Sequence, residues 1–396
     1  MTLNHSPHPH KIGAVVIGGD YQGLGIVRSL GRRQVPVVLI DDETSIARFS
    51  RYTSSAVKVP SFGNAAETAE ILINLGRKRG LQGWVLYPTR DETVAAISQH
   101  KKALEEIYRV PTPDWNTIKQ VWDKRNTYEL AARLGIPTPR TRWIRDRKEL
   151  GHLELSFPVV IKPAIKEHFL RGTGVKAWRA NDRAQLDKLL DCGSRFVPQE
   201  ELLIQDLIPG DGSSQYSYCS FFRRGQAVSK LVASRRRQHP LEFGKSSTYV
   251  ESVELPLLEE YSERFLRAID YYGLVELEYK YDLRNGQYCL LDVNGRTWGY
   301  HTIGRVAGLD FPYQLFLDQL EMPVEQSRGK AGVRWIRLLT DLPTGVLSIL
   351  QGKLDVRTYV RSLRDFDEEA VFSRDDPMPG LVEIALIPYL VVKRGF

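Results

Sequence analysis

Apolar residues in the first third of the chain follow two rhythms. Residues 12–17, 35–40 and 83–87 are nearly unbroken apolar runs, the last stopped by Pro88. Runs of this length mark strands buried on both faces. Between them, residues 25–33 and 65–79 repeat their apolar positions at helical spacing. Strands alternating with helices predict a parallel, doubly wound sheet.

Pro111, Pro113 and the pair Asn116-Thr117 mark a boundary. Beyond it Ile118, Val121, Trp122, Tyr128, Ala131 and Leu134 fall on one side of a helical pattern, which Gly135 and Pro137 stop. From Phe157 the texture changes to short strands separated by turn signals: PVVIKP, GTGVKAW, LLIQDLIPG and SQYSYCSFF. A helix is predicted at 258–272, then a hairpin of VELEYKYDL and QYCLLDVN. From about Lys330 a mixed basic tail carries an amphipathic stretch and ends in LVEIALIPYLVVKRGF. Repeats and low-complexity tracts are absent.

Composition narrows the classes. A chain of 396 residues exceeds one ordinary core and implies two or three domains. Its 42% hydrophobic and 26% charged residues are those of a soluble globular protein. Cys192, Cys219 and Cys289 are isolated and odd in number, which excludes a disulfide framework or zinc pattern and fits a reducing cytoplasm. The start, MTLNHSPHPHK, lacks an apolar signal core; its His5, His8 and His10 read as a disordered beginning. No apolar run approaches the roughly 18 residues of a membrane span. The net charge of +7 and pI near 9.1 favour anionic ligands. Basic residues are scattered apart from Arg235-Arg236-Arg237, so nucleic acid is not the expected partner.

Three constellations carry candidate chemistry. IGGDYQGLG joins a strand to a helix, with Asp41 and Asp42 about 20 residues on, as in a dinucleotide fingerprint. The glycines at 18, 19, 23 and 25 do not keep the G-x-G-x-x-G spacing, and a tight strand-to-helix turn accounts for them equally well. Lys162 follows four apolar residues in FPVVIKP, and Lys176 sits in GTGVKAW. A lysine in a buried strand needs a counter-charge, which polyphosphate supplies, unless it snorkels from the strand end. The stretch between them, AIKEHFLRGTG, reads as a mobile loop able to cover phosphates.

The hairpin is the strongest of the three. A two-residue Asn285-Gly286 loop sets Glu278 against Val293. A three-residue loop, Arg284-Asn285-Gly286, pairs Leu283 with Gln287 and sets Glu278 against Asp292 and Glu276 against Asn294. Glu276, Glu278, Lys280, Asp292 and Asn294 then share one face. Unpaired, such acids repel one another; as hard oxygen donors they suit Mg²⁺ held against phosphate, with Arg296 two residues on to neutralise it. G-x-S-x-G, H-E-x-x-H, C-x-x-C and Walker A patterns do not occur.

Taken in order from about Ile12 to Leu320, these segments resemble the ATP-grasp superfamily, within it the carboxylate–amine ligases that include D-aspartate ligase-like proteins. VWDKRNTYELAARLGIPTP resembles the segment of the first nucleotide lysine, here Lys124, and FPVVIKP that of the second, Lys162. LLIQDLIPG resembles the hinge around adenine, with Gln205, Asp206 and the backbone near Ile208; Asp206 stands where the family usually has Glu. VELEYKYD with LLDVNGRTWG resembles the metal hairpin, which implies Glu278, Asp292 and Asn294 as Mg²⁺ ligands and Arg296 on phosphate; Asp292 is shorter than the usual Glu. RRRQHPLEFGKSSTYVES resembles the acceptor-side loop, with Arg235, Arg237 and Lys245 as carboxylate or phosphate contacts.

The resemblance implies three parts: an α/β Rossmann-like (pre-ATP-grasp) domain at 1–115, an α+β two-lobed ATP-grasp domain at 116–325 (lobes about 116–202 and 203–325), and a small C-terminal extension at 326–396. It implies phosphoryl transfer from ATP to a carboxylate, then attack of an amine on the acyl phosphate. Lys176, Arg235 and Arg296 neutralise charge, the 166–174 loop acts as lid, and TRDE at 89–92 is a candidate carboxylate contact. A nicotinamide-dependent oxidoreductase built on the first domain is the competing enzyme reading, and an ATP-binding regulatory protein the non-catalytic one. The apolar C-terminal stretch with Lys393 and Arg394 suggests docking on a membrane surface or a partner.

Overall fold

A computed structural model describes residues 12–143, 150, 153–244 and 246–388. Its contacts divide the chain into two units. One draws on Met1–Thr112, Pro312–Val324 and Val371–Phe396, the other on Pro113–Phe311 and Glu325–Ala370.

In the first unit, β1 (Ala14–Ile17), β2 (Val37–Asp41), β3 (Ser55–Lys58) and β4 (Val85–Pro88) form a parallel sheet in the order β3-β2-β1-β4. Strands β1, β2 and β4 are buried at every position, as their unbroken apolar runs require. The edge strand β3 reads SAVK, is only half-buried, and carries too little pattern to be found from sequence. The helix Ala65–Arg79 begins where the Asn64 side chain accepts from the amides of Ala66 and Glu67, and stops at left-handed Gly80. Val15, Ile17, Val38, Ile40, Leu72, Leu86 and Ile97 form the core between sheet and helices. The last segment is pinned to this unit by Asp376, which accepts from Arg28 Nε at 2.9 Å and Ser50 Oγ at 2.7 Å.

The second unit contains two sheets. The smaller comprises β5 (Thr141–Trp143), β6 (Val159–Pro163), β7 (Trp178–Ala180) and β8 (Leu202–Asp206), antiparallel in the order β5-β8-β6-β7. Val159, Ile161, Leu202 and Ile204 face Phe169, Leu186 and Leu190 of the helices Lys166–Thr173 and Arg183–Gly193. The alternate residues, Val160, Lys162, Leu203 and Gln205, take the other face.

The larger sheet runs β13 (Gln287–Asn294), β12 (Gly273–Asp282), β9 (Gln215–Arg223), β10 (Gln226–His239), β11 (Ser246–Val253), β15 (Arg334–Ile336), β16 (Glu368–Glu369), with β14 (Ser327–Arg328) beside β10. The helix Pro256–Ala268 covers one face: Ser262 Oγ and Tyr279 Oη lie 2.9 Å apart, and Lys230 Nζ reaches Glu263 at 2.8 Å.

Three expectations change. The stretch expected as a loop at 166–174 is the helix Lys166–Thr173, closed by Gly174 at φ +71°. Helical hydrogen bonding satisfies its backbone, and Phe169 anchors it in the core. Lys176 lies in the bend before β7 and not within a strand. The single helix expected after Pro113 is two, Trp115–Trp122 and Lys124–Arg133. They meet at Asp123, which leaves helical backbone and caps the second by accepting from the Arg125 amide.

Candidate active site

The break at Asp123 is where the site begins. It turns the chain so that the Lys124 amide donates to Ala164 O at 3.0 Å, and the buried Lys124 ammonium reaches Asp292 Oδ1 at 2.8 Å. One turn later Tyr128 donates from its hydroxyl to Leu291 O at 2.8 Å and accepts from Lys162 Nζ at 2.5 Å. The helix Lys124–Arg133 thus ties Lys162 on the small sheet to the hairpin of the large one.

The hairpin reaches the expected face by a different route. The turn holds four residues, 283–286, and pairs Asp282 with Gln287, so neither the two- nor the three-residue loop occurs. Asp282 stabilises the longer turn by accepting from the Arg284 amide at 3.0 Å, and Gly286 takes φ +69°. That register alone would offset the acids. A bulge at Leu291 then inserts one residue, and beyond it Glu278 faces Asp292 and Glu276 faces Asn294. The carbonyl of the bulged residue is the one Tyr128 binds.

On this face the groups interlock. Asn294 Nδ2 donates to Glu278 Oε1 at 2.9 Å and Glu276 Oε2 at 3.1 Å, while Arg296 Nη2 donates to Asn294 Oδ1 at 3.3 Å. Glu276 also accepts from Tyr300 Oη at 2.6 Å. Arg235, from β10, is buried; it donates to Glu278 and, through Nε, to Ser247 Oγ at 2.8 Å. Lys176 Nζ donates to Gly244 O at 3.2 Å. Lys280 shares the strand parity but turns to Gly210 O at 2.7 Å.

The electrostatics follow from this crowding. Burial raises Glu276, and the neighbouring Glu278 raises it further. Burial also opposes ionisation of Glu278, but Arg235, Lys176 and the Asn294 hydrogen bond outweigh it and bring its carboxyl to about 2. Burial lowers the Lys176 ammonium to about 8, with Lys166 and Arg235 adding to the effect against the pull of Glu278.

Other expected residues are placed differently. Gln205 and Asp206 are strand neighbours and point to opposite faces: Gln205 Nε2 donates to Thr141 Oγ1 at 2.7 Å, and Asp206 accepts from Arg142 Nη1 at 2.7 Å. Ile208 is buried just beyond β8. Arg237 is gripped through two bonds of 2.8 Å by Asp341, and its guanidinium lies over the ring of Tyr249. Lys245 lies outside the described residues. Tyr128, Tyr300 and Ser247 were missed by sequence reasoning. Each is a single hydroxyl whose partner lies far along the chain, and no spacing signals it.

In the first unit, the glycine turn and TRDE close on each other. Asp41 Oδ2 accepts from the Gly19 amide at 2.6 Å, and Arg90 donates to Asp41 at 2.9 Å and Asp42 at 2.6 Å. A Cβ at Gly18 would meet Thr89 Oγ1, and one at Gly23 the Gly18 carbonyl. These glycines permit close packing of protein on protein, which disfavours a dinucleotide there.

The fit to a metal can be judged from the donors. Among the described residues, no group of three or more His, Cys, Asp or Glu side chains is gathered to hold an ion. Glu278, Asp292 and Asn294 offer two carboxylates and one carboxamide, hard oxygens that suit an ion completed by phosphate oxygens.

No family model matches the chain. The D-aspartate ligase of Enterococcus faecium (strain Aus0004) is 25% identical over 302 residues, covering 71% of this chain and 70% of that protein. The L-amino acid ligase of Bacillus licheniformis superimposes with a TM-score of 0.62 at 15% identity, over 80% of this chain and 76% of the other. The biotin carboxylase domain of Hydrogenobacter thermophilus 2-oxoglutarate carboxylase, solved with MgADP and bicarbonate, gives 0.65 at 15% identity over 82% and 74%.

Proposed function

We propose that this chain, a member of the carboxylate–amine ligase group of the ATP-grasp superfamily, activates a carboxylate as an acyl phosphate at the hairpin face and joins it to an amine. The carrying observation is the set of cations around the hairpin. Lys124, Lys176, Arg235 and Arg296 crowd Glu276, Glu278 and Asp292 and outnumber them, while nearby Lys166 is paired with Glu167 at 3.5 Å. Such an excess is costly until a polyanion enters.

ATP is read as the phosphoryl donor, with Lys124 and Lys162 on its phosphates and the strand end at Gln205, Asp206 and Ile208 beside its base. Mg²⁺ bound by Glu278, Asp292 and Asn294 would supply charge neutralisation between phosphates. The substrate carboxylate oxygen bonds to the terminal phosphorus as the bond to ADP breaks. The amine then attacks the acyl carbon and inorganic phosphate leaves. Arg296, Lys176 and Arg235 offset negative charge at the phosphoryl group, and the work is chiefly positioning. No protein base is nominated.

Residues 1–115 are read as the Rossmann-like pre-ATP-grasp domain. Residues 116–325 are read as the two-lobed ATP-grasp domain, and 326–396 as an extension. A reducing cytoplasm fits the free Cys192, Cys219 and Cys289. No helix among the described residues is long and apolar enough to cross a membrane. Residues 389–396, which include the Lys393 and Arg394 of the membrane or partner contact suggested for the basic tail, lie outside the described residues.

The test is ADP release across a panel of carboxylic acids, with and without amines. Release that requires Mg²⁺ and an acid, together with an amide product when an amine is added, is the expected result. Nicotinamide reduction without ADP release would overturn it.

A further inference from the structure

Glu276, Tyr300 and Cys219 are buried at the hairpin face, exposed by 4, 2 and 0%, and have no assigned part in the reaction. Cys219 stands across from Glu276 on β9, and Asn294 stands across from it on β13. Tyr300 comes from the segment that follows Arg296. Its ring meets those of Trp298 and Trp335 edge-on, with centroids 6.5 and 6.1 Å away, and both tryptophans are fully buried. Its hydroxyl donates to Glu276 Oε1 at 2.6 Å, and Cys219 Sγ lies 3.6 Å from that hydroxyl.

The hydrogen bonds on Asn294 are directional. Its Nδ2 carries two hydrogens, and each has its own carboxylate: Glu278 Oε1 at 2.9 Å and Glu276 Oε2 at 3.1 Å. Its Oδ1 therefore points the other way, where it accepts from Arg296 Nη2 at 3.3 Å. A reversed amide would set Oδ1 against two carboxylates, so charge and hydrogen bonding fix the same orientation. Glu278 has a second task, as a Mg²⁺ ligand in the proposed reaction. Glu276 has none: Tyr300 holds its Oε1 and Asn294 its Oε2. Burying a carboxylate beside Glu278 is unfavourable, and an apolar side chain would fill the place without repulsion. What the carboxylate adds is a fixed acceptor for Asn294.

We propose that Glu276 and Tyr300 are positioning residues that hold the Asn294 carboxamide with its oxygen toward Arg296 and the phosphates, a role that rests on the reading of Asn294 as a Mg²⁺ ligand. Tyr300 fixes Glu276, Glu276 fixes Nδ2, and the oxygen end is left for the ion. Hydrogen bonds to a ligand from behind set metal affinity in this way. Trp335 lies beyond residue 325, so the C-terminal part of the chain reaches the site through the ring of Tyr300.

The test uses the full chain with a non-hydrolysable ATP analogue and Mn²⁺ as the probe, whose free concentration electron paramagnetic resonance reads directly. Glu276→Gln should weaken Mn²⁺ binding by about 10–100-fold, and Tyr300→Phe, which changes no charge, by about tenfold. Nucleotide binding without metal, followed by calorimetry, should persist in both and reports a folded site. Exchanging donor and acceptor separates orientation from packing. Asn294→Asp alone brings three carboxylates together. The double substitution Glu276→Gln/Asn294→Asp again sets a donor against an acceptor at the wild-type charge, and should bind Mn²⁺ better than either single substitution. Wild-type Mn²⁺ affinity in Glu276→Gln or Tyr300→Phe, or a double substitution no better than the singles, would overturn the proposal. A wild type that binds the nucleotide without taking up Mn²⁺ would instead remove the ligand assignment of Asn294, and this role with it.

Discussion

Each unit of this protein has a charged cluster, one at the strand ends around Arg90 and one on the face of the β12–β13 hairpin, and they differ in balance. Around Arg90, two acids share one guanidinium, and the amides of Gly19 and Glu43 complete Asp41 while that of Phe62 completes Asp42. Both acids there are met by protein donors. Around the β12–β13 hairpin the cations outnumber the acids, one of them sits near neutrality at about 8, and one carboxyl is held at about 2. Both clusters contain acids next to arginine, and both stood out in the sequence. The first is a closed structural lock. The second has a surplus of one sign, the feature on which the proposed anionic ligand rests.

The largest effect that separates them is on turnover. Glu278→Gln and Asp292→Asn should each lower ADP release by about 10²–10³-fold, while Asp42→Asn leaves it unchanged; a coupled pyruvate kinase assay reads both. Lys176→Met should cost about 10²-fold in kcat/KM, and Lys176→Arg should restore most of it. Because Lys176 titrates near 8, nucleotide affinity of the wild type should fall as pH rises through 8, and the arginine variant should flatten that profile in calorimetric titrations. Full affinity retained at pH 9.5 would break the assignment.

Stability discriminates in the other direction. Arg90→Ala leaves two part-buried acids without their cation and should cost about 3 kcal/mol in urea unfolding, with normal turnover by the folded fraction. The smallest effect is the acid limb. The folded pKa of Glu278 lies near 2, below its ordinary 4.5, so its share of stability is complete above 4.5 and disappears as pH falls through 2. Arg235→Gln should shrink that slope between pH 2 and 4.5.

Much of this was legible without the structure. The buried strands of the first unit, its helix at 65–79 and the parity of the acidic hairpin all follow from periods of 2 and 3.6 that local residues carry. The hairpin shows the limit. A three-residue turn also brings its acids to one face, whereas the chain uses four residues and a bulge at Leu291. Two errors of one residue cancel, and only cross-strand pairing reveals them. Asp123 reads as an ordinary helical position until its break is seen to deliver Lys124. Arg235 and Arg237 are indistinguishable in RRR, yet one meets Glu278 and the other is locked by Asp341.

The sequence by itself determined the alternation of elements, the segments bearing lysine and carboxylate, and the family they resemble, because periodicity and motif order are local properties. The tertiary structure alone decided which cation meets which acid, how far Lys176 and Glu278 shift, and which side of the helix Leu338–Leu350 faces inward. Amphipathicity separates two faces of a helix, but burial depends on what stands opposite, and here Arg237 and His239 draw the polar face in. Contacts between residues a hundred positions apart have no signature in either stretch of chain.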